Sequence, residues 1–183
     1  MVELQTSGLT DEAAEVHVGV NGTDEDLVEV EFMVPVRTIL FHNENGVSEI
    51  PTINRLREWL PGHEDWYVCY HHGKCCTRND ETCAKWRRAM QNAVITNWRQ
   101  CVADLDAGAE AVGCHWLTPE AYPGLVGSPY FAGTFWWATA RFLLTLPPLP
   151  KATWENRYYA ESWIGSGPAR PKVKDYKPGW PMP

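Results

Sequence analysis

Strands alternating with helices predict a single-domain α/β protein, with a mostly parallel sheet flanked by helices. Two observations lead there. Short apolar runs at 39–41, 66–70 and 111–116 have strand length, and polar or glycine-containing stretches follow them. Between them, over about 51–60 and 80–105, apolar residues recur at three- and four-residue spacing, as on one face of a helix.

The elements follow in order. Residues 1–14 read as a loose terminus. Val16, Val18 and Val20 alternate with His17 and Gly19, a strand pattern, and Asn21-Gly22 makes a turn. Leu27, Val28, Val30, Phe32, Val34 and Val36 predict a second strand that pairs with the first as a hairpin. Ile39-Leu40-Phe41 reads as a short buried strand. Pro51 opens a helix that carries Ile53, Leu56, Trp59 and Leu60 and stops at Pro61-Gly62. Residues 66–70 read as a buried strand. A long helix capped by Asn79 or Asp80 runs to about Leu105, with Gly108 ending it. A strand at 111–116 and a Pro/Gly loop at 118–129 follow. The pattern then predicts a helix over 134–146, terminated by Pro147-Pro148. The domain is expected to span 1–166, and 167–183 to form an extended Pro/Lys-rich tail wrapping the surface.

Composition limits the function classes. The chain has 183 residues, 44% hydrophobic and 21% charged, as a globular domain requires. A net charge of −7 disfavours a general nucleic-acid or anionic-membrane binder. No apolar run approaches the roughly 20 residues of a membrane span. The first residues lack the basic and apolar regions of a signal peptide, so a cytoplasmic location with reduced thiols is expected. Cys69, Cys75, Cys76 and Cys83, with His71 and His72 between them, invite a zinc reading. Their spacing, C-x5-C-C-x6-C, matches no standard zinc pairing. Ten tryptophans are far above ordinary usage. They serve either the core or stacking on a flat ligand.

In parallel sheets ligands bind at the C-terminal strand ends. Three chemically rich stretches fall at such ends: 43–49, 71–74 and 115–116. In His71-His72-Gly73-Lys74, glycine permits close backbone approach and lysine offers a compact positive charge to phosphate. Histidine can donate to phosphate oxygens or act as a base. In the segment Tyr130-Phe131-Ala132-Gly133-Thr134-Phe135-Trp136-Trp137, Gly133 permits close contact just before the expected helix. Adjacent Trp136 and Trp137 would then point about 100° apart, one to the core and one to a ligand. Glu161 stands alone in an aromatic stretch with Trp163, either a general base or a structural carboxylate. Asp104-Leu105-Asp106 has a metal-binding D-x-D form. It lies at a helix end rather than after a buried strand, so both aspartates are expected in solvent.

These blocks, in this order, resemble those of small microbial and viral glycosyltransferase-like proteins related to GT-A-fold nucleotide-sugar transferases. The matching stretches are Tyr70-His71-His72-Gly73-Lys74, Trp86-Arg87, Val112-Gly113-Cys114-His115-Trp116, the segment 130–137 and Glu161-Ser162-Trp163-Ile164-Gly165. The likeness spans about residues 38–166, and its last two blocks are the specific ones. The first motif departs from the family's His-x-Lys-Gly by exchanging Gly and Lys.

The resemblance implies a reduced GT-A-like, Rossmann-like fold and transfer of a hexosyl or pentosyl group from a nucleotide-sugar to an acceptor hydroxyl. His71, His72, Gly73, Lys74 and Arg87 would face the donor diphosphate, and Glu161 would be the base. Trp116, Tyr130, Gly133, Thr134, Phe135, Trp136, Trp137 and Trp163 would line the sugar and acceptor site. Mn²⁺ or Mg²⁺ would accompany such a donor, yet no strand-end D-x-D is present. The acceptor is a glycan, a protein, a small molecule or a modified base. The alternatives are a carbohydrate- or nucleotide-binding protein that keeps the fold without the chemistry, and a zinc-stabilised interaction module.

Overall fold

The computed structural model describes residues 4, 6–22, 25–26, 38–42, 48–73, 80–120, 127–156 and 158–176. The strand expected over 27–36, the hairpin it would form and the C-terminal residues from 177 lie outside them.

The first described elements are a one-turn helix α1 (Leu9–Glu12), β1 (Val16–Val20) and β2 (Thr38–His42). The N-terminal turn is docked: Leu9 is buried, and the Trp98 indole donates to the Ser7 carbonyl at 3.2 Å. β1 and β2 form a separate two-stranded parallel sheet, with Val18 opposite Leu40. Ile39 is exposed, so this strand is not buried on both faces as its apolar run predicts.

Helix α2 (Ile50–Trp59) has Pro51 in its first turn, where a missing N–H costs nothing, and it buries Ile50 and Ile53. β3 (Tyr67–Tyr70) follows. Asp80 caps α3 (Glu81–Gln91), its carboxylate accepting the Cys83 N–H at 2.8 Å.

The expected long helix is interrupted. A π-turn (Asn92–Thr96) separates α3 from α4 (Trp98–Asp106), and Asn97 at the junction leaves helical geometry. Side chains take up carbonyls in this turn. The Trp137 indole donates to the Val94 carbonyl at 2.7 Å, and the Cys101 thiol to that of Ala93 at 3.5 Å. Tertiary hydrogen bonds thus stabilise a break that apolar spacing conceals.

The remaining elements are β4 (Ala111–Gly113), β5 (Trp116–Leu117), β6 (Tyr130–Phe131), β7 (Trp136–Thr139), α5 (Ala140–Leu143), α6 (Tyr159–Ser162), a 3-10 turn (Trp163–Gly165) and β8 (Val173–Asp175). Two expectations are corrected here. Residues 136–139 form a strand, and only 140–143 are helical. Trp136-Trp137-Ala138-Thr139 is buried almost throughout, and a short run apolar on every side carries no periodicity to separate strand from helix.

The second correction follows from the first. The main sheet has the order β3-β7-β4-β8, and β7 runs antiparallel to both neighbours. Only β4 and β8 pair in parallel, so the sheet is mostly antiparallel rather than mostly parallel. β8 comes from the segment expected to wrap the surface. It is extended, but it pairs with β4 as an edge strand. β5 and β6 form a two-stranded antiparallel ladder.

The sheet separates two cores. One gathers Ile50, Ile53, Leu60, Tyr70, Phe131, Trp136, Leu143, Trp163 and Ile164. The other gathers Leu9, Met90, Val94, Ile95, Cys101, Leu105, Val112, Cys114, Phe135 and Trp137. Trp136 and Trp137, adjacent on a strand, point to opposite faces and anchor one core each.

Candidate functional site

The ends of β3 and β4 and the start of β7 meet at one end of the main sheet. His71, His72 and Gly73 leave β3 there, beside the turn at 131–135 that leads into β7. His72 Nε2 donates to the Gly133 carbonyl at 2.9 Å, and its Nδ1 pairs with the Glu49 carboxylate just before α2. Glu49 and His72, each from a strand-end stretch, are thereby joined to the 130–137 block. Glu49 was not singled out from the sequence. An acidic residue immediately before a helix that opens with proline was the available signal.

His71 packs its ring 5.7 Å from Phe135, and burial pushes its imidazole down to about 4. At neutral pH it is uncharged, so it lacks the positive charge expected of it towards a diphosphate. Burial and, secondarily, the Glu49 carboxylate push the Tyr70 hydroxyl well above its ordinary range, so Tyr70 stays protonated. Gly73 is exposed. Lys74 lies outside the described residues. Arg87 is half-buried on α3, one residue after Trp86.

Gly133 has φ of +91°, a conformation that side chains resist. A Cβ there would sit 2.3 Å from Met90 Sδ and 3.6 Å from the Trp86 ring. The turn therefore lies directly against the Trp86-Arg87 block. Thr134 also has positive φ, +58°, and is fully buried; its hydroxyl has no hydrogen-bond partner among the described residues. His115 repeats this pattern, with φ of +59° and a buried Nε2 that has no hydrogen-bond partner among the described residues. Its carbonyl accepts the Ala132 N–H at 3.0 Å. Two non-glycine residues in strained backbone thus flank one turn, a condition that persists only where surrounding packing enforces it.

The aromatic residues expected to form a sugar wall are largely internal. Phe135, Trp136, Trp137 and Trp163 are all buried. Trp136 stacks on Tyr70 at 5.0 Å, and the Trp163 indole donates to the Pro147 carbonyl at 2.8 Å. Neither tandem tryptophan faces outward, because a strand sends them into the two cores. Trp116 and Tyr130 are half-buried, with Trp116 against Phe131 at 4.7 Å.

Glu161 is half-buried on α6, its N–H bonded to the Tyr158 carbonyl at 3.1 Å. Tyr130 is its neighbour: burial, then the Glu161 charge, push the Tyr130 hydroxyl up. The two specific blocks pack backbone to backbone. A Cβ at Gly165 would lie 1.9 Å from the Pro129 carbonyl oxygen, so only glycine fits.

Asp106 accepts the Tyr67 hydroxyl at 2.6 Å, and Asp104 accepts that of Tyr176. Asp104-Leu105-Asp106 therefore ties α4 to the sheet, and the pair does not fit the role of an Mn²⁺ or Mg²⁺ ligand. Burial pushes the thiols of Cys101 and Cys114 up to about 12, and that of Cys69 higher still. Cys75 and Cys76 lie outside the described residues. Among those described, no group of three or more His, Cys, Asp or Glu side chains could hold a metal, and no helix is long and apolar enough to cross a membrane.

No protein-family model matches the chain, and neither a curated protein nor a solved structure matches it significantly.

Proposed function

We propose that the protein is a glycosyltransferase moving a sugar from a nucleotide-sugar donor to an acceptor hydroxyl, on a reduced GT-A-like scaffold in the cytoplasm. One observation supports this above the others: the sequence blocks that carry the family resemblance form one contiguous unit. His72 bonds to Gly133, Gly133 abuts Trp86, and Gly165 packs on Pro129.

In this reading the acceptor oxygen bonds to the anomeric carbon of the donor. The bond from that carbon to the diphosphate breaks, and the diphosphate leaves with the electron pair. The hydroxyl proton passes to the Glu161 carboxylate. Arg87 and Lys74 supply positive charge to the departing diphosphate, since His71 is neutral. His72 holds the Gly133 turn in position. Trp116 and Tyr130, the half-buried aromatics, replace the buried rings as the walls nearest the sugar. No step runs through a metal.

One observation favours a second reading, a sugar- or nucleotide-binding protein without turnover. The D-x-D at 104–106 is held by tyrosine hydroxyls.

A panel of nucleotide-sugars screened by thermal shift, with and without Mn²⁺ or Mg²⁺, tests the proposal, because a ligand raises the melting temperature by mass action. A shift followed by donor hydrolysis is expected. Absence of any shift across the panel would remove the donor site. Glu161→Gln should keep the shift and lose transfer; retained transfer would remove Glu161 as the base.

A further inference from the structure

One imidazole ties three distant segments together. His72 lies just beyond β3, Gly133 in the turn between β6 and β7, and Glu49 immediately before α2. His72 Nε2 meets the Gly133 carbonyl at 2.9 Å, and Nδ1 meets the Glu49 carboxylate. The Glu49 carbonyl also accepts the Ile53 N–H at 3.0 Å, which fixes its backbone to the first turn of α2. The His72 and Glu49 side chains are only 21% and 20% exposed, so water screens the pair in part.

A count of protons decides what this bridge needs. A carbonyl oxygen only accepts, so Nε2 carries a proton. A carboxylate also only accepts, so a second proton must lie between Nδ1 and Glu49. Neutral imidazole has one N–H and one lone pair, and can serve one of these partners but not both. A free imidazole holds its proton to about pH 6.5 and a free glutamate only to about 4.3, so the second proton resides on the ring. Its loss would set the Nδ1 lone pair against the carboxylate.

The titratable neighbours hold their charge states while this happens. His71 packs on Phe135, as does His72 at 6.0 Å. Burial pushes the His71 imidazole down to about 4, with the His72 charge a lesser contribution. Burial, then Glu49, hold the Tyr70 hydroxyl well above its ordinary range. Neither changes charge between about pH 5 and 8, where histidine ordinarily does. Of these four groups, the Glu49–His72 pair is the responsive one.

The turn has reason to move when untied. Gly133 and Thr134 both have positive φ, and strained backbone persists only where its surroundings enforce it. The turn's bonds from Thr134 N–H to the Phe131 carbonyl and from Ala132 N–H to the His115 carbonyl do not involve the Gly133 carbonyl.

We propose that Glu49 and His72 form a proton-operated latch on the 131–135 turn. Holding its proton, the pair ties the turn to β3 and α2; without it, the pair releases either Gly133 or Glu49. The latch is closed at lower pH and opens as pH rises, the opposite sense to His71, whose contribution is lost as pH falls. That the latch sets nucleotide-sugar affinity rests on the transferase reading. Opening should then weaken donor binding about tenfold, as loss of one hydrogen bond to a charged group does.

The test is NMR on the full chain, titrated from about pH 5 upward until His72 loses its proton. Imidazole nitrogen signals report the protons on His72, and the amide signals of Gly133 and Thr134 report the turn. Both His72 nitrogens should be protonated at the start, and the amide signals should move with the same midpoint as the ring. Glu49→Gln is the decisive variant. Its amide can donate to an unprotonated Nδ1, so the tie survives loss of the proton and the turn signals should no longer follow the ring. Glu49→Ala should show the released turn at every pH.

A singly protonated His72 at about pH 5 overturns the latch. So do turn signals that stay fixed while His72 deprotonates, or a Glu49→Gln turn that follows the ring as in wild type. The nucleotide-sugar thermal shift is recorded separately at each pH. Coupled ring and turn signals without any donor shift keep the latch and remove the transferase. A donor shift without the coupling does the reverse.

Discussion

Two aromatic segments of this chain have been put to opposite uses. Residues 130–137 send Phe131, Phe135, Trp136 and Trp137 inward, where they join the two cores through the sheet. Residues 154–159 hold Trp154, Tyr158 and Tyr159 outward on a short, internally bonded segment. The richer motif in the sequence is the structural one. An aromatic cluster flanked by alternating strand geometry fills cores on both faces, whereas one fixed by turn bonds has nowhere to bury its rings.

The largest effect that separates the two segments is on stability. Trp136→Ala removes a buried ring stacked on Tyr70 and should cost about 3–5 kcal/mol in denaturant unfolding. Trp154→Ala should stay within about 0.5 kcal/mol of wild type. Equal costs would break the contrast.

The pH dependence of unfolding comes next. His71 has a lowered folded-state value, about 4, against an ordinary 6.5. The unfolded chain therefore binds more protons between these values. The contribution is complete above about pH 6.5, declines as pH falls and is exhausted below about pH 4. The loss should reach at most a few kcal/mol, and His71→Asn should flatten the slope in that window.

Gly133→Ala forces a Cβ onto Met90 at positive φ and should destabilise by about 1–3 kcal/mol. Adding Met90→Ala should relieve only the steric part. The smallest effect is expected from Tyr176→Phe, which removes the bond to Asp104 and should cost about 1 kcal/mol.

Local elements with a chemical marker were legible in the sequence. Pro51 marked the start of α2, Asp80 capped α3, and Gly108, with φ of +99°, follows the end of α4. What failed depended on distant partners. The π-turn is stabilised by an indole from β7, and β7 itself read as helix because its neighbours bury every side chain. Reading 136–139 as helix hid the central strand and so the strand directions.

At the site, Gly133, His72 and Glu161 drew attention through their chemistry. The bond of His72 to Gly133 joins residues 61 apart in sequence, and its pairing with Glu49 is similarly non-local. The exposed rings of Trp154, Tyr158 and Tyr159 gave no motif, because exposure is a property of the folded surface.

The strand order also governs when this protein can become itself during synthesis. β3 gains its neighbour only after β7 is made, so Tyr70 waits for Trp136, and Ala111 waits for Val173 on the far edge. A growing chain therefore leaves the ribosome with β3 and β4 unpaired, their edges open to other nascent chains. Long-range closure of this kind folds slowly, on the order of milliseconds to seconds. A holding chaperone that covers those edges over that interval would raise the yield of native protein.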